Sequence, residues 1–219
     1  CKAFHHPLRS SYLLDLGATI DCGAEQLVEF ARLAHHLVNI VQGIDRPAIA
    51  LLSNGIEDSK GNASCRRAAA LLQQDSKLNY CGYIEADALF VGAVDIVVFD
   101  GFVGNIALKS AEGAAQVVFD ALEPLLEKSR SLTKQNQSSK TSKPAIDLLR
   151  KQLEHSKKQW LPQQHNGAFF LGLDGIVVKS HGAASVAAFA QAIGEAHQLL
   201  SQNVAARLRQ VQVVNRVTR

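Results

Sequence analysis

Methionine is absent from the 219 residues, tryptophan occurs once, and cysteine occurs only four times. The cysteines form no C-x-x-C pair and have no histidine at zinc-finger spacing; they are Cys1, Cys22, Cys65 and Cys81. The eight histidines include His5-His6 and His35-His36, but no H-E-x-x-H motif. We therefore expect neither a metal site nor another bound cofactor.

Long apolar runs are also lacking. No run reaches the roughly 18 residues that would span a bilayer, and no signal peptide opens the chain. These absences favour a cytosolic protein. The chain begins with Cys1 and enters a buried-strand pattern at Tyr12–Leu16. This favours a partial chain whose N-terminal part is missing.

Charge is unevenly distributed along the chain. The segment 127–160 carries nine Lys and Arg against three Asp and Glu, a net charge of +6. The segment 205–219 carries four Arg and no acidic residue, so the remaining residues have a net charge of −7. A basic segment beside an acidic body favours docking to an anionic partner or surface, or is simply a solvated helix face.

Short apolar runs alternate with segments of helical periodicity. The predicted strands are 13–16, 48–52, 80–84 and 96–99, and the predicted helices are 24–41, 62–72, 105–126 and 183–208. Strands that read as unbroken apolar runs between helices indicate an α/β fold with a mainly parallel sheet covered on both faces.

The domain boundaries follow from this pattern. Residues 1–121 form the α/β domain, residues 122–163 a helical hairpin that stands off it, and residues 164–219 return to it and end in a helix. Within the hairpin, the polar stretch 129–143 has no apolar period and predicts a mobile loop. Pro144 then opens a helix whose apolar residues are Leu148, Leu149, Leu153 and Trp160.

Three polar clusters fall at strand-to-helix corners. The first is Glu57–Asn62, the second Asp100–Asn105 with Lys109 one turn later, and the third Val178–Gly182. Ligands bind at the carboxyl ends of strands in such sheets, and the three corners should share one sheet edge. Glycines there let the backbone approach a ligand, and helix N–H groups with a lysine make an anion site.

Each cluster also has a purely structural interpretation. Gly101 and Gly104 could be turn glycines, Lys60 a solvated loop residue, and His181 or Asp100 a helix cap. The sequence contains no G-x-x-x-x-G-K-[ST], no G-x-G-x-x-G and no G-x-S-x-G motif, so a nucleotide site and a serine hydrolase are unsupported.

Read in order, the clusters resemble the bacterial fatty acyl-acyl carrier protein:phosphate acyltransferase family. The matching segments are 14–21, 57–62, 82–86, 100–105, 108–113, 166–168, 171–173 and 179–182. The likeness covers about Leu13 to Val204 and corresponds to the C-terminal two-thirds of the family's chain. The family's Asp-Ala-Met-Gly-Gly-Asp opening and Gly-Asn-Thr-Gly loop are absent, and Leu33-Ala34-His35 stands where the family tends to have Met-Gly-Ser.

The resemblance implies a fold, a reaction and partners. The fold is a three-layer α/β/α architecture similar to isocitrate/isopropylmalate dehydrogenases and phosphotransacetylases. The reaction makes acyl phosphate from long-chain acyl-acyl carrier protein and inorganic phosphate, for phospholipid synthesis. The implied partners are acyl carrier protein, phosphate and a second copy of the chain in a homodimer. The basic segment 122–160 would meet an anionic membrane surface, so that a cytoplasmic protein sits at the inner face of the membrane.

This reaction needs positioning rather than strong chemistry. A thiol leaves easily at neutral pH, and phosphate is already largely deprotonated. We expect Lys60 to neutralise phosphate or the oxyanion, Asn105 to donate from its amide, and Asp100 to orient a lysine or histidine. His181 with Lys179 would contact phosphate or assist the leaving thiolate. Further expected binding residues are Gly55, Gly61, Gly101, Gly104, Lys109, Asn166 and Gly182.

Two alternatives stay open from the sequence. One is a phosphate acetyl- or butyryltransferase that uses acyl-CoA, and a second is a non-catalytic scaffold that docks to carrier protein or membrane. A decarboxylating dehydrogenase is disfavoured because no aspartate cluster for magnesium is visible. Nucleic-acid binding is disfavoured because the basic residues lack interleaved aromatic residues.

Overall fold

The computed structural model describes residues 1–5, 9–135, 142–160, 167–182 and 184–217. Its strands are β1 Lys2–His5, β2 Ser10–Leu14, β3 Ala48–Leu52, β4 Asn79–Ile84, β5 Ile96–Val98, β6 Ala168–Phe169 and β7 Val178–Lys179. Its α-helices are α1 Ala24–Gln42, α2 Ala63–Gln74, α3 Gly101–Gln135, α4 Ser142–Trp160, α5 Val186–Ser201 and α6 Val204–Val217.

Five strands form the central sheet in the order β1-β2-β5-β3-β4. The pairs β2–β5, β5–β3 and β3–β4 are parallel, whereas β1 pairs with β2 in antiparallel fashion. The prediction of an α/β fold with a mainly parallel sheet is confirmed. The first predicted strand, 13–16, was placed too late, because β2 already begins at Ser10.

Side chains of the central strands alternate between two apolar clusters. Leu14, Ile49 and Val98 pack with α1 and α2 on one face, and Val204 and Leu208 of α6 join this larger cluster. Leu13, Ala50 and Val97 point to the other face, where they pack with residues that follow β4 and with Ala107 of α3. Burial on both faces explains why these strands read as unbroken apolar runs.

The hairpin region differs from its prediction. Helix α3 continues to Gln135, and α4 begins at Ser142, so residues 129–135 and 142–143 are helical and their assignment to a loop was wrong. Ser, Lys and Gln are compatible with a helix, so the lack of an apolar period did not require a loop. Residues 136–141 lie outside the described residues. Helices α3 and α4 contact each other, and the Lys157 ammonium pairs with the Glu123 carboxylate.

The C-terminal region contains two helices where one, 183–208, was predicted. Asn203 has φ of 53°, a left-handed conformation that ends α5 and redirects the chain into α6. Strands β6 and β7 form a separate antiparallel sheet, and Phe169 exchanges two backbone hydrogen bonds with Cys1. Within the described ranges, no helix has both the length and the apolar character needed to cross a membrane.

Candidate active site

The loop after β2 is held by a buried carboxylate. Asp15 is 8% exposed, and its Oδ1 accepts hydrogen bonds from Gly17 N at 3.1 Å and Ala18 N at 3.0 Å. Its Oδ2 accepts from Thr19 N at 2.7 Å. These three bonds fix the loop at the carboxyl end of β2. Sequence reasoning did not select Asp15 as a site residue, although an aspartate directly after a buried strand was a usable signal.

Helix α3 begins at Gly101, one turn earlier than predicted, and lies directly on this loop. Asp100 Oδ1 accepts from Val103 N at 2.8 Å, which caps the helix, so Gly101–Gly104 is a helical turn and not a loop. Gly101 N donates to Thr19 O at 2.8 Å. A Cβ on Gly101 would lie 2.4 Å from Thr19 O, so this close packing requires glycine.

Asn105 lies in the second turn of α3, facing the loop after β2. A Cβ at Gly17 would be 3.5 Å from both Cβ and Cγ of Asn105. Gly17 itself has φ of 112°, a conformation that favours glycine. The exposed amide of Asn105 is thereby placed beside the end of β2 rather than at the start of a helix, as the sequence had predicted.

The second corner, between β3 and α2, is ordered by two asparagines. Asn54 Oδ1 accepts from Gly61 N at 2.8 Å, and Asn62 Oδ1 accepts from Cys65 N at 2.8 Å to cap α2. Gly61 has φ of 83°, so its glycine is conformationally required. The corner presents the N-terminus of α2, where the helix dipole favours an anion.

Lys60 is half-buried and its side chain folds back over Gly55. A Cβ on Gly55 would lie 2.8 Å from Lys60 Cγ and 2.8 Å from Glu57 Oε2. Lys60 N donates to Glu57 O at 2.9 Å, which closes a turn within the loop. Because Gly55 has no side chain, the aliphatic part of Lys60 can occupy the space beside it.

A cleft of about 870 Å³ joins these two corners. Its polar lining includes Ser53 and Asn54 after β3, Asn62 at the start of α2 and Asp100 after β5, with Ser64, Asp87 and Ser110 elsewhere. Most of the remaining lining is apolar and includes Leu51, Leu52, Leu89, Phe90, Phe99 and Ile106. Of the predicted site residues, Gly61 and Asp100 line the cleft itself.

Two cysteines that were given no role in the sequence analysis also line this cleft. Cys22 and Cys65 are both buried, and burial raises the pKa of each thiol above its ordinary value. At neutral pH both are protonated thiols, which act as part of the apolar wall rather than as nucleophiles. In the described part of the chain, no group of three His, Cys, Asp or Glu side chains is placed to hold a metal ion.

The third corner does not share the sheet edge of the first two. Lys179 ends β7 and His181 follows it, and β7 belongs to the two-stranded sheet, so the prediction of three corners on one edge is wrong. This small sheet was not foreseen because strands of two residues carry no periodic signal. Both side chains are largely exposed, and a Cβ on Gly182 would meet nothing within 4 Å. Asn166 lies outside the described residues.

Lys109 forms an ion pair within α3. Its Nζ lies 2.7 Å from Glu112 Oε2, and both residues influence Lys2 at the start of β1. Burial is the main cause that lowers the pKa of Lys2; Glu112 opposes this lowering and Lys109 adds to it. A phosphate bound by Lys109 would therefore compete with the Glu112 carboxylate.

Comparison with known proteins identifies the family. A profile of the family described as fatty acid synthesis protein matches residues 4–207. A phosphate acyltransferase of Pseudomonas syringae pv. syringae (strain B728a) is 45% identical over 205 residues, which is 93% of this chain and 57% of the relative. A phosphate acyltransferase of Pseudomonas fluorescens (strain Pf0-1) is 44% identical over 204 residues, which is 92% of this chain and 57% of the relative.

A third relative has a similar identity and coverage. The phosphate acyltransferase of Ectopseudomonas mendocina (strain ymp) is 44% identical over 197 residues, which is 90% of this chain and 55% of the relative. The chain thus spans a little more than half the length of the relatives that it matches. With nearly its whole length matched by the family profile, the chain belongs to the fatty acid synthesis protein family.

Proposed function

We propose that the protein transfers a long-chain acyl group from the thioester of acyl carrier protein to inorganic phosphate. The observation that carries this proposal is the cleft, which combines a polar opening at two strand ends with a mainly apolar interior. Relatives that carry the name phosphate acyltransferase support the reaction class. An apolar cleft suits an acyl chain, and a helix N-terminus at its opening suits phosphate.

The reaction balances without a cofactor. A phosphate oxygen attacks the thioester carbonyl, the tetrahedral oxyanion collapses, the C–S bond breaks, and the thiolate leaves and takes up a proton. Holding phosphate in line with the carbonyl contributes roughly 7–11 kcal/mol, and each oxyanion donor contributes about 3–4 kcal/mol. The protein therefore needs positively charged or N–H donors close to the cleft opening.

The catalytic roles follow from that requirement. Lys60 neutralises phosphate or the oxyanion, and the amide of Asn105 donates to it. Asp100 orients a neighbouring cation, in addition to capping α3. Lys179 and His181 contact phosphate or protonate the thiolate. The other residues that we propose around the phosphate are Gly55, Gly61, Gly101, Gly104, Lys109, Asn166 and Gly182.

Residues 122–163 serve as the docking element. Leu148 and Leu149 of α4 are exposed, and the segment 127–160 has a net charge of +6. Such a surface attracts acidic acyl carrier protein or an anionic membrane. We propose that this hairpin lies beside a three-layer α/β/α fold similar to those of isocitrate/isopropylmalate dehydrogenases and phosphotransacetylases. We also propose that the complete protein is a homodimer at the cytoplasmic face of the membrane.

The test is an assay of the complete polypeptide with long-chain acyl-acyl carrier protein, long-chain acyl-CoA and acetyl-CoA, each with and without phosphate. Acyl phosphate is trapped with hydroxylamine and the free thiol is measured separately. We expect acyl phosphate and free thiol to form in equal amounts and to depend on phosphate. Long-chain acyl-acyl carrier protein should be the best of the three donors. A preference for acetyl-CoA would indicate a short-chain phosphate acyltransferase, and docking without thioester loss would indicate a scaffold.

A further inference from the structure

One face of α3 forms a long wall of the cleft. The residues that line the cleft are spaced by three or one along the helix, and they are Val103, Ile106, Ala107, Ser110, Ala111 and Ala114. This spacing keeps them on one face of the helix. At about 1.5 Å of rise per residue, the eleven steps from Val103 to Ala114 make a wall roughly 17 Å long.

The polar opening lies at the Val103 end of this wall. Val103 N donates to Asp100 Oδ1 at 2.8 Å, and Asp100 lines the opening. Ala114 lies three helical turns further on. The cleft therefore has a direction along α3, with the polar strand ends at its beginning and two alanines, Ala111 and Ala114, at the other end.

The opposite wall is firmly packed. Leu89 is 1% exposed and Phe90 packs edge-to-face on Phe4, with ring centroids 5.1 Å apart and an angle of 72° between the rings. Phe99, directly after β5, belongs to the same apolar cluster as Leu89 and is also buried. Because the core fixes these side chains, they cannot easily move aside to make the cleft longer.

We propose that Ala111 and Ala114 determine the length of the acyl chain that the enzyme accepts. This inference rests on the proposed function and adds an orientation: the thioester carbonyl lies at the N-terminal ends of α2 and α3, and the acyl chain runs along α3. An extended chain advances by less than one C–C bond length, about 1.5 Å, per carbon. The wall from Val103 to Ala114 therefore holds at least about eleven carbons.

Small side chains at the far end are what make this length available. A phenylalanine at Ala114 would fill the space that the last carbons occupy, and it would keep them in water. Each methylene kept out of an apolar site lowers affinity by about fourfold. Shorter chains do not reach this end of the cleft, so the same substitution leaves their transfer unchanged.

The experiment compares Ala114→Phe with Ala121→Phe in the complete polypeptide. Ala121 is an exposed alanine of the same helix and does not line the cleft, so it controls for the added ring. Acyl phosphate formation is measured with a series of acyl-acyl carrier proteins from short to long chains. Binding of cis-parinaric acid, a fluorescent long-chain fatty acid, is measured without phosphate.

We expect Ala114→Phe to lower kcat/KM for long chains at least about tenfold relative to short chains and to weaken cis-parinaric acid binding. Ala121→Phe should change neither result. If the enzyme forms acyl phosphate but its chain-length profile is the same in both variants, the inference is wrong and the proposed function stands.

The proposed reaction can also be wrong while the assignment of the cleft is right. If no acyl-acyl carrier protein yields acyl phosphate, while Ala114→Phe weakens cis-parinaric acid binding and Ala121→Phe does not, the proposed reaction is wrong. The assignment of the cleft to an acyl chain is then right. If neither variant alters the binding of cis-parinaric acid or the chain-length profile, another part of the protein or a partner fills the cleft, and the inference is overturned.

Discussion

Gly104 of α3 packs against the carbonyl oxygen of Asp15 so closely that a Cβ at position 104 would lie only 1.9 Å from it. The same Cβ would lie 2.3 Å from the ring of Phe99. Both neighbours belong to the buried strand ends, so neither can move away easily. This contact sets how α3 crosses the end of β2, and therefore where Asn105 is placed.

Gly104→Ala should consequently destabilise the protein and displace Asn105. Overpacking of a tight contact costs typically 1–3 kcal/mol, and we expect at least that loss in the free energy of unfolding, with reduced acyl transfer. Urea denaturation at constant m-value measures the stability. The control is Gly113→Ala, because a Cβ on Gly113 of the same helix would meet nothing within 4 Å.

For the control, the expected change is an increase in stability of up to about 1 kcal/mol, since alanine is the better helix former. If Gly104→Ala were as stable as Gly113→Ala, the close approach of α3 to Asp15 would be wrong, and the placement of Asn105 would lose its structural basis.

Asp15→Asn tests the loop that supports this site. The substitution keeps the size of the side chain but replaces one acceptor oxygen by an amino group that faces a backbone N–H. Asp15 accepts three backbone hydrogen bonds, so we expect a loss of about 1–3 kcal/mol in unfolding free energy. Asp21→Asn, in the exposed part of the same loop, should change stability by less than about 0.5 kcal/mol. Equal effects in the two variants would contradict a supporting role for Asp15.

The two proposed donors are tested by Lys60→Ala and Asn105→Ala in the complete polypeptide. Each should lower turnover at least about 10²-fold, as expected for loss of an oxyanion donor, with unchanged urea denaturation. Lys77→Ala removes an exposed lysine outside the cleft and should leave turnover within about twofold. Near-normal turnover of either variant would remove that residue from the proposed mechanism.

Much of the sheet could be predicted because its central strands are buried on both faces. Ala48–Leu52 was located to the residue, and Asn62 was recognised at the start of α2. Strand β1 was missed because Lys2–His5 is only four residues long and gains its partner only from β2. The pairing of β6 with β7 likewise depends on long-range contacts.

The site was predicted only in part, for a related reason. Residue types identified Asp100 and Gly61, which line the cleft, but the cleft depends on which faces of α3 and of the segment after β4 meet. Ala111 and Ala114 carry no chemical signal in a sequence, and Cys22 and Cys65 belong to no C-x-x-C or zinc-finger pattern. Their role in lining the cleft is visible only from the packing.

Acidification should destabilise the protein through His36. Burial lowers its pKa to about 4, with His35 and Lys77 as further causes, whereas an unfolded histidine titrates near 6.5. His35, whose pKa is also lowered, mainly by burial, is influenced by Arg46 and Asp75. Between about pH 6.5 and 4 the unfolded state binds more protons, so unfolding free energy falls as pH falls.

His36→Gln should reduce this pH dependence, measured as the difference in urea midpoint between pH 7 and pH 5. The variant removes one group that the folded protein keeps neutral, so its midpoint should fall less over this interval. His197→Gln, an exposed histidine on α5, serves as the control and should retain the full pH dependence. The account would be wrong if both variants kept the wild-type pH dependence.

Membrane docking by the hairpin is tested by Leu148→Ser with Leu149→Ser. These leucines of α4 are 59% and 58% exposed, so the double variant should keep the fold and lose apolar contact with a bilayer. We expect the fraction that floats with anionic vesicles to fall at least about tenfold, because each exposed leucine contributes about 1.5–3 kcal/mol when buried. The matched control is Leu173→Ser with Val177→Ser, which removes two apolar side chains outside the hairpin that are 48% and 44% exposed. If flotation is equal in all three proteins while Lys151→Glu weakens acyl carrier protein binding, the basic surface of the hairpin binds the carrier protein and not the membrane.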